Sequence, residues 1–116
     1  TNLMDYMLNK MIYLMENLYV YPENMMKNIN LTKGLIFSQE VLLALVAKGV
    51  SREDSYKIVQ KNAMEVWKSK VDFKKLLYKD DAVMNHLSKD EIDKLFNLDK
   101  ILVNINKTYK RIGLIK

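Results

Sequence analysis

Seven consecutive residues, Val41-Leu42-Leu43-Ala44-Leu45-Val46-Ala47, are apolar. Wound at 3.6 residues per turn, such a run leaves no polar face, so it predicts a helix covered on every side at the centre of a domain. Gly49 follows as a stop that accepts left-handed backbone. Ser51, with Asp54 three residues later, then forms a variant capping box for the next helix, and Glu53 adds negative charge at the positive end of its dipole. Helix, glycine stop and cap in that order define a helical hairpin. Glycine (3) and proline (1) are too scarce in the 116 residues for the turns of a sheet protein. The expectation is an all-α chain.

The same reading extends in both directions. Leu3, Met7, Met11, Leu14 and Leu18 recur at steps of four and three, which predicts an amphipathic helix with a wide apolar stripe. That stripe is already at full strength at Leu3, so the start reads as a cut through a longer helix. Its methionines fill irregular gaps and suit burial against other long helices. Pro22 fits a first helical position and opens a second helix over residues 22–30. Thr32 and Gly34 break the pattern before the apolar helix, expected over residues 35–48. The helix opened by Ser51 runs to about Ser69, with Tyr56, Val59, Ala63, Val66 and Trp67 facing inward. Asp72 and Asp80 suit caps for short helices over 73–78 and 81–86. Ser88-Lys89-Asp90-Glu91 is a full capping box for a helix to about Phe96. A last helix over 99–111 ends at Gly113. No repeat, low-complexity segment or strand pattern appears.

Composition removes several functions. With no cysteine, disulfides, thiolate metal sites and cysteine nucleophiles are out. No apolar run approaches the roughly 18 residues of a membrane span, and the first residues lack the features of a signal peptide, so a cytosolic setting is expected. The net charge of +5 lies wholly in residues 100–116, as Lys100, Lys107, Lys110, Arg111 and Lys116; residues 1–99 balance. A solvated helix end accounts for that tail without an anionic partner. His86 is the sole histidine and has no second group to make it an acid–base pair or a metal site. Asp80 and Asp81 diverge on a helix, and a cap followed by a first-turn acid explains both. Gly34, Gly49 and Gly113 are too far apart for a phosphate loop. The hairpin around Gly49 has the outline of a helix-turn-helix, yet its second helix would meet DNA with Glu53 and Asp54 first, which argues against nucleic acid.

The residues Tyr21-Pro22-Glu23-Asn24-Met25, Lys27-Asn28, Thr32, Gly34-Leu35-Ile36-Phe37-Ser38-Gln39 and Val41-Leu42-Leu43-Ala44-Leu45 closely resemble the C-terminal part of the bacterial-type adenylosuccinate lyase family. The likeness continues through Lys48-Gly49, Ser51-Arg52-Glu53-Asp54, Tyr56, Val59-Gln60, Asn62-Ala63-Met64 and Trp67. It reaches Phe73, Leu76-Leu77, Leu87-Ser88, Leu95-Phe96, Leu102 and Tyr109-Lys110-Arg111, and so spans essentially the whole chain. The resemblance implies membership of the fumarase/aspartase superfamily. It implies a homotetrameric, all-helical enzyme of purine biosynthesis that eliminates fumarate from adenylosuccinate and from a succinylated imidazole carboxamide ribotide. In that family a serine on a mobile signature loop takes the proton and a histidine is the general acid, with no metal or organic cofactor.

None of those catalytic parts has a counterpart here, and His86 does not match the acid histidine. The implied organisation is residues 1–20 as the end of a central-bundle helix and residues 21–116 as the small C-terminal helical domain. Its partners would be the rest of the lyase chain and the other subunits. No catalytic residue is assigned. Asn28, Thr32, Ser38 and Gln39 are polar residues in apolar surroundings, candidates for the active-site rim or for structural hydrogen bonds that cap and tie helices. Glu40, Asn97, Lys100 and Asn106 depart from the family pattern, Glu40 by reversing a charge. The rival reading is a stand-alone helical interaction module.

Overall fold

The computed structural model describes residues 1–115, so Lys116 of the basic tail lies outside the described residues. Helix α1 is Asn2–Glu16, α2 Pro22–Leu31, α3 Ser38–Ala47 and α4 Arg52–Ser69. The short helices α5 Phe73–Leu77, α6 Asp81–Met84, α7 Lys89–Leu95, α8 Leu98–Leu102 and α9 Ile105–Arg111 complete an all-α chain, with no strand among the described residues.

The core forms where α3 crosses α4 and the short helices close over the pair. Val41, Phe73, Leu45, Leu77, Val83 and Ile92 are fully buried there, with Val59, Val66, Leu87 and Leu95 around them. Each side chain of this kind contributes about 1.5–3 kcal/mol when taken out of water. Local chemistry fixes the ends of the helices that build it. The Ser51 hydroxyl accepts the Asp54 N–H at 3.1 Å, and the Asp80 carboxylate accepts the Ala82 N–H at 3.0 Å. Ser88 and Glu91 form the complete capping box, each side chain accepting the other residue's backbone N–H.

Four expectations change. The apolar helix does not begin at Leu35: residues Leu35–Phe37 form a 3-10 turn, because Gly34 enters left-handed at φ 87° and the Phe37 N–H reaches back to the Gly34 carbonyl. Nor is α3 covered on all sides. Val41, Leu42 and Leu45 face the core, while Leu43 and Val46 are exposed, since only one layer of helices packs against it. On α4, Val59 and Val66 are inside, but Tyr56 and Trp67 stand outside the core at 56% and 61% exposure. Ser55 and Asn62 take the inward positions instead, completing a 55-59-62-66 stripe with those valines. The last helix is two helices, α8 and α9, interrupted at Val103 and Asn104. Neither buries a residue, and without tertiary packing a long helix rich in β-branched residues and asparagine has little to hold it together.

Helix α1 ends at Glu16, two residues short of Leu18, and buries none of its residues. The radius of gyration is accordingly 20.0 Å, where a compact chain of about 100 residues has roughly 13 Å. Among the described residues no single helix is long and apolar enough to cross a membrane. The pair Pro22–Leu31 and Leu35–Ala47 reaches that apolar length together but is bent by 72°, and α3 spends its inner face on the core.

Candidate functional site

The four polar candidates do not converge. Asn28 is exposed on α2. Thr32 sits at the end of that helix, where its hydroxyl donates to the Ile29 carbonyl at 3.1 Å. Ser38 and Gln39, at the start of α3, do come together: both line a furrow between α3 and α4 whose floor and walls include Leu42, Tyr56, Gln60 and Ala63. Beyond Gln39 and Tyr56 the furrow widens to a hollow of ≈ 680 Å³ flanked by Arg52, Glu53 and Lys57. Toward the other end of α4, Trp67 and Val66 meet Leu31, Thr32 and Leu35 around a small cleft of ≈ 40 Å³.

Tyr56, Gln60, Ala63 and Trp67 follow one another at steps of four, three and four, so one flank of α4 carries all of them. The surface they make is apolar at its aromatic ends and amide-lined in its middle. It offers shape and hydrogen bonds but no nucleophile and no acid–base pair. Size and apolar character put Tyr56 and Trp67 inside when only the sequence is read. Their shared flank is as the spacing predicts; the side it faces is not.

The ionisable groups near the core are committed to each other. Asn62, 5% exposed, donates to the Asp80 carboxylate at 2.7 Å and to the Ile58 carbonyl at 3.0 Å. Burial works to raise the Asp80 carboxyl; the hydrogen bonds from Asn62 and the Ala82 N–H, with the Lys61 ammonium at 3.5 Å, outweigh it and hold it below the usual range. Lys74 reaches Asp93 at 2.5 Å, and the Tyr78 hydroxyl also donates to Asp93. Lys74 first and Tyr78 second lower the Asp93 carboxyl, and the same bond to Asp93 raises the Tyr78 phenol. Lys48 lies 2.6 Å from Glu91; together with the Ser88 cap it pulls the Glu91 carboxyl down to about 2. These three clusters tie α4 to α6, α5 to α7 and α3 to α7. Their carboxylates stay ionised at neutral pH and are poor proton donors there. The 55-59-62-66 spacing is the available signal for Asn62; nothing local pairs Tyr78 with Asp93, fifteen residues away.

His86 is exposed in the turn after α6, and no cluster of three metal-ligating side chains occurs among the described residues. Of the residues that depart from the family pattern, Asn97 serves as a helix cap. Its side-chain oxygen accepts the Asp99 N–H at 2.9 Å at the start of α8. Glu40 is half-buried in the first turn of α3, while Lys100 and Asn106 are exposed.

The family described as Adenylosuccinate lyase C-terminus matches residues 34–112. The adenylosuccinate lyase of Streptococcus mutans is 44% identical over 114 residues, 98% of this chain and 26% of that protein. That of Bacillus subtilis is 40% identical over 111 residues, covering 96% and 26%, and that of Helicobacter pylori 42% identical over 118 residues, covering 93% and 27%. The chain thus spans about a quarter of the length of the curated relatives it matches. With the match running through α3, α4 and the short helices that close over them, the chain belongs to the adenylosuccinate lyase C-terminus family.

Proposed function

We propose that this chain is the C-terminal part of a full-length adenylosuccinate lyase. That enzyme eliminates fumarate from adenylosuccinate to give AMP, and from the succinylated imidazole carboxamide ribotide, in purine biosynthesis. In this reading the protein works as a homotetramer. Residues 1–20 are the end of a central-bundle helix, and residues 21–116 are a helical domain that covers one end of the bundle and shapes the rim of the active site. The catalytic serine and histidine lie on the part of the enzyme outside these residues.

The observation that carries the reading is the extent of the match: 93–98% of this chain aligns with about a quarter of each relative. The commitment of Asp80, Glu91 and Asp93 to ties between helices supports a structural role within it. Two assays test the proposal. The full-length protein should convert adenylosuccinate, read as loss of the substrate's ultraviolet absorbance. The purified 116-residue chain should leave that absorbance unchanged; turnover by the chain alone would overturn the division of labour.

A further inference from the structure

The side chains that sequence periodicity places inside but the structure leaves outside lie on neighbouring flanks of two helices. Tyr56 and Trp67 stand about 16 Å apart along α4, eleven residues at 1.5 Å each, and three turns separate them, so they point the same way. Gln60 and Ala63 lie between them and Ser38, Gln39 and Leu42 form the facing wall. On α3, Leu43 and Val46 continue the apolar flank beside Gln39 and Leu42. The segment with the short helices α5 to α7 differs: among the described residues, no large apolar side chain between positions 68 and 100 is exposed. That segment is finished for water; the flanks of α3 and α4 are not.

We infer that the α3–α4 furrow is the seat of one helix from the part of the protein that lies N-terminal to these residues. The inference rests on the reading that the chain is the C-terminal quarter of a longer lyase. The relatives supply the chain length for such a helix, since about three quarters of each lies outside the match. The dimensions fit: the furrow follows about two turns of α4, from Tyr56 to Ala63, and Trp67 extends the same flank by one more turn. Such a trough receives a helix by its i, i+3, i+4 and i+7 side chains. Charge specifies the occupant further. At the Tyr56 end Arg52 and Lys57 are matched by Glu53 and by Asp54, which lies 3.5 Å from the Lys57 ammonium. Lys33 and Lys70, in contrast, flank the Trp67 end with no acid among the described residues that line it. The seated helix therefore carries an apolar face with a carboxylate near the end that meets Trp67, and its middle meets the amides of Gln39 and Gln60. Helix α1 of a second copy is the competing occupant, because it too is apolar and buries nothing.

Photo-cross-linking in the full-length protein decides. Intact mass before illumination first establishes whether a long N-terminal part is present; its absence sinks the lyase reading itself, apart from anything about the furrow. A Gln60→p-benzoylphenylalanine variant is then illuminated and its adducts mapped by mass spectrometry. Glu65→p-benzoylphenylalanine, exposed on the opposite flank of α4, serves as the control. The expected result is an adduct to a peptide N-terminal to Thr1 from position 60, at least tenfold more abundant than from position 65. An adduct to residues 2–16 of another copy overturns the inference, and so does a folded, full-length protein with no adduct at position 60. If the Gln60 variant fails to fold, the same substitution at Gln39, on the facing wall, gives the same two outcomes.

Discussion

Helix α1 and the domain built on α3 to α7 are made of similar residues and end up in opposite states. Both have regular apolar stripes. In α1 fifteen residues bury nothing, and Leu3, Met7, Met11 and Leu14 all stand more than half exposed. In the domain, helices of four to seven residues such as α6 and α7 still bury Val83, Ile92 and Leu95. Helix length and periodicity are thus poor guides to where stability resides. A stripe stabilises only when another surface meets it, and within these residues only the domain supplies that surface.

The widest separation between the two regions should come from truncating one side chain in each. Phe73→Ala removes a fully buried ring that packs against Phe96 at 6.1 Å between centroids. It should cost about 3–5 kcal/mol, enough to abolish a cooperative urea transition in a domain this small. Met7→Ala in α1 should move the same transition by less than about 0.5 kcal/mol. Equal effects would break the comparison by showing that α1 packs on the domain in solution.

Polar ties inside the domain come next. Asn62→Ala takes the 2.7 Å hydrogen bond from the Asp80 carboxylate and should lower stability by about 1.5–3 kcal/mol, the range for a hydrogen bond to a charged group. The glycines sharpen the point at smaller scale. Gly34 and Gly49 are both left-handed, at φ 87° and 91°, so alanine at either costs about 1–2 kcal/mol in backbone strain. A Cβ at Gly34 would also sit 3.0 Å from the Phe96 ring, whereas one at Gly49 meets nothing within 4 Å. Denaturant midpoints should therefore fall further for Gly34→Ala than for Gly49→Ala. Matching midpoints would mean that the Phe96 ring swings aside freely.

What is legible in the sequence divides along the same line. The Ser88–Glu91 box, the Ser51 cap and the Gly113 stop depend on residues three or fewer apart, and local chemistry decides them. The all-α class and the family likewise follow from the chain in order. Which flank of a helix is covered depends on residues far away, so size alone misplaces Tyr56 and Trp67 and gives no hint of the polar Asn62. Asn28, Thr32, Ser38 and Gln39 share only a polar character in apolar surroundings. Position in space then separates a helix-end hydrogen bond at Thr32 from the furrow wall at Ser38 and Gln39. The Tyr78–Asp93–Lys74 cluster exists only because α5 and α7 meet.

Acid should find the tie between α3 and α7 before the core. The Glu91 carboxyl is held at about 2, against an ordinary value of 4.5. A carboxyl lowered in the folded state stabilises fully above its unfolded value and loses that contribution as pH falls. The contribution should thus be intact above about pH 5 and disappear between 4.5 and 2. Lys48→Met removes the largest cause, so its thermal midpoint should lie below the parent's at neutral pH and converge on it near pH 2. Both partners are more than two-fifths exposed, which keeps the difference small and makes it shrink in high salt. A gap that is constant with pH would assign the loss to the packing of the lysine stem instead.

The smallest expected change has the opposite sign. Ser55 is fully buried on the inner stripe of α4, and its hydroxyl has no hydrogen-bond partner among the described residues. A buried hydroxyl without a partner costs free energy that an apolar group of similar shape does not. Alanine keeps the small volume the site needs and is also the better helix former. Ser55→Ala should therefore raise the denaturant midpoint by up to about 1 kcal/mol's worth, the one substitution in the core expected to stabilise. A lowered midpoint would show that the hydroxyl is satisfied in solution, by an ordered water or by the Ser51 carbonyl one turn earlier. The same change on α1, Ser being absent there, has no equivalent: every α1 side chain already meets water, so no polar group in it bears a burial penalty that a substitution could relieve.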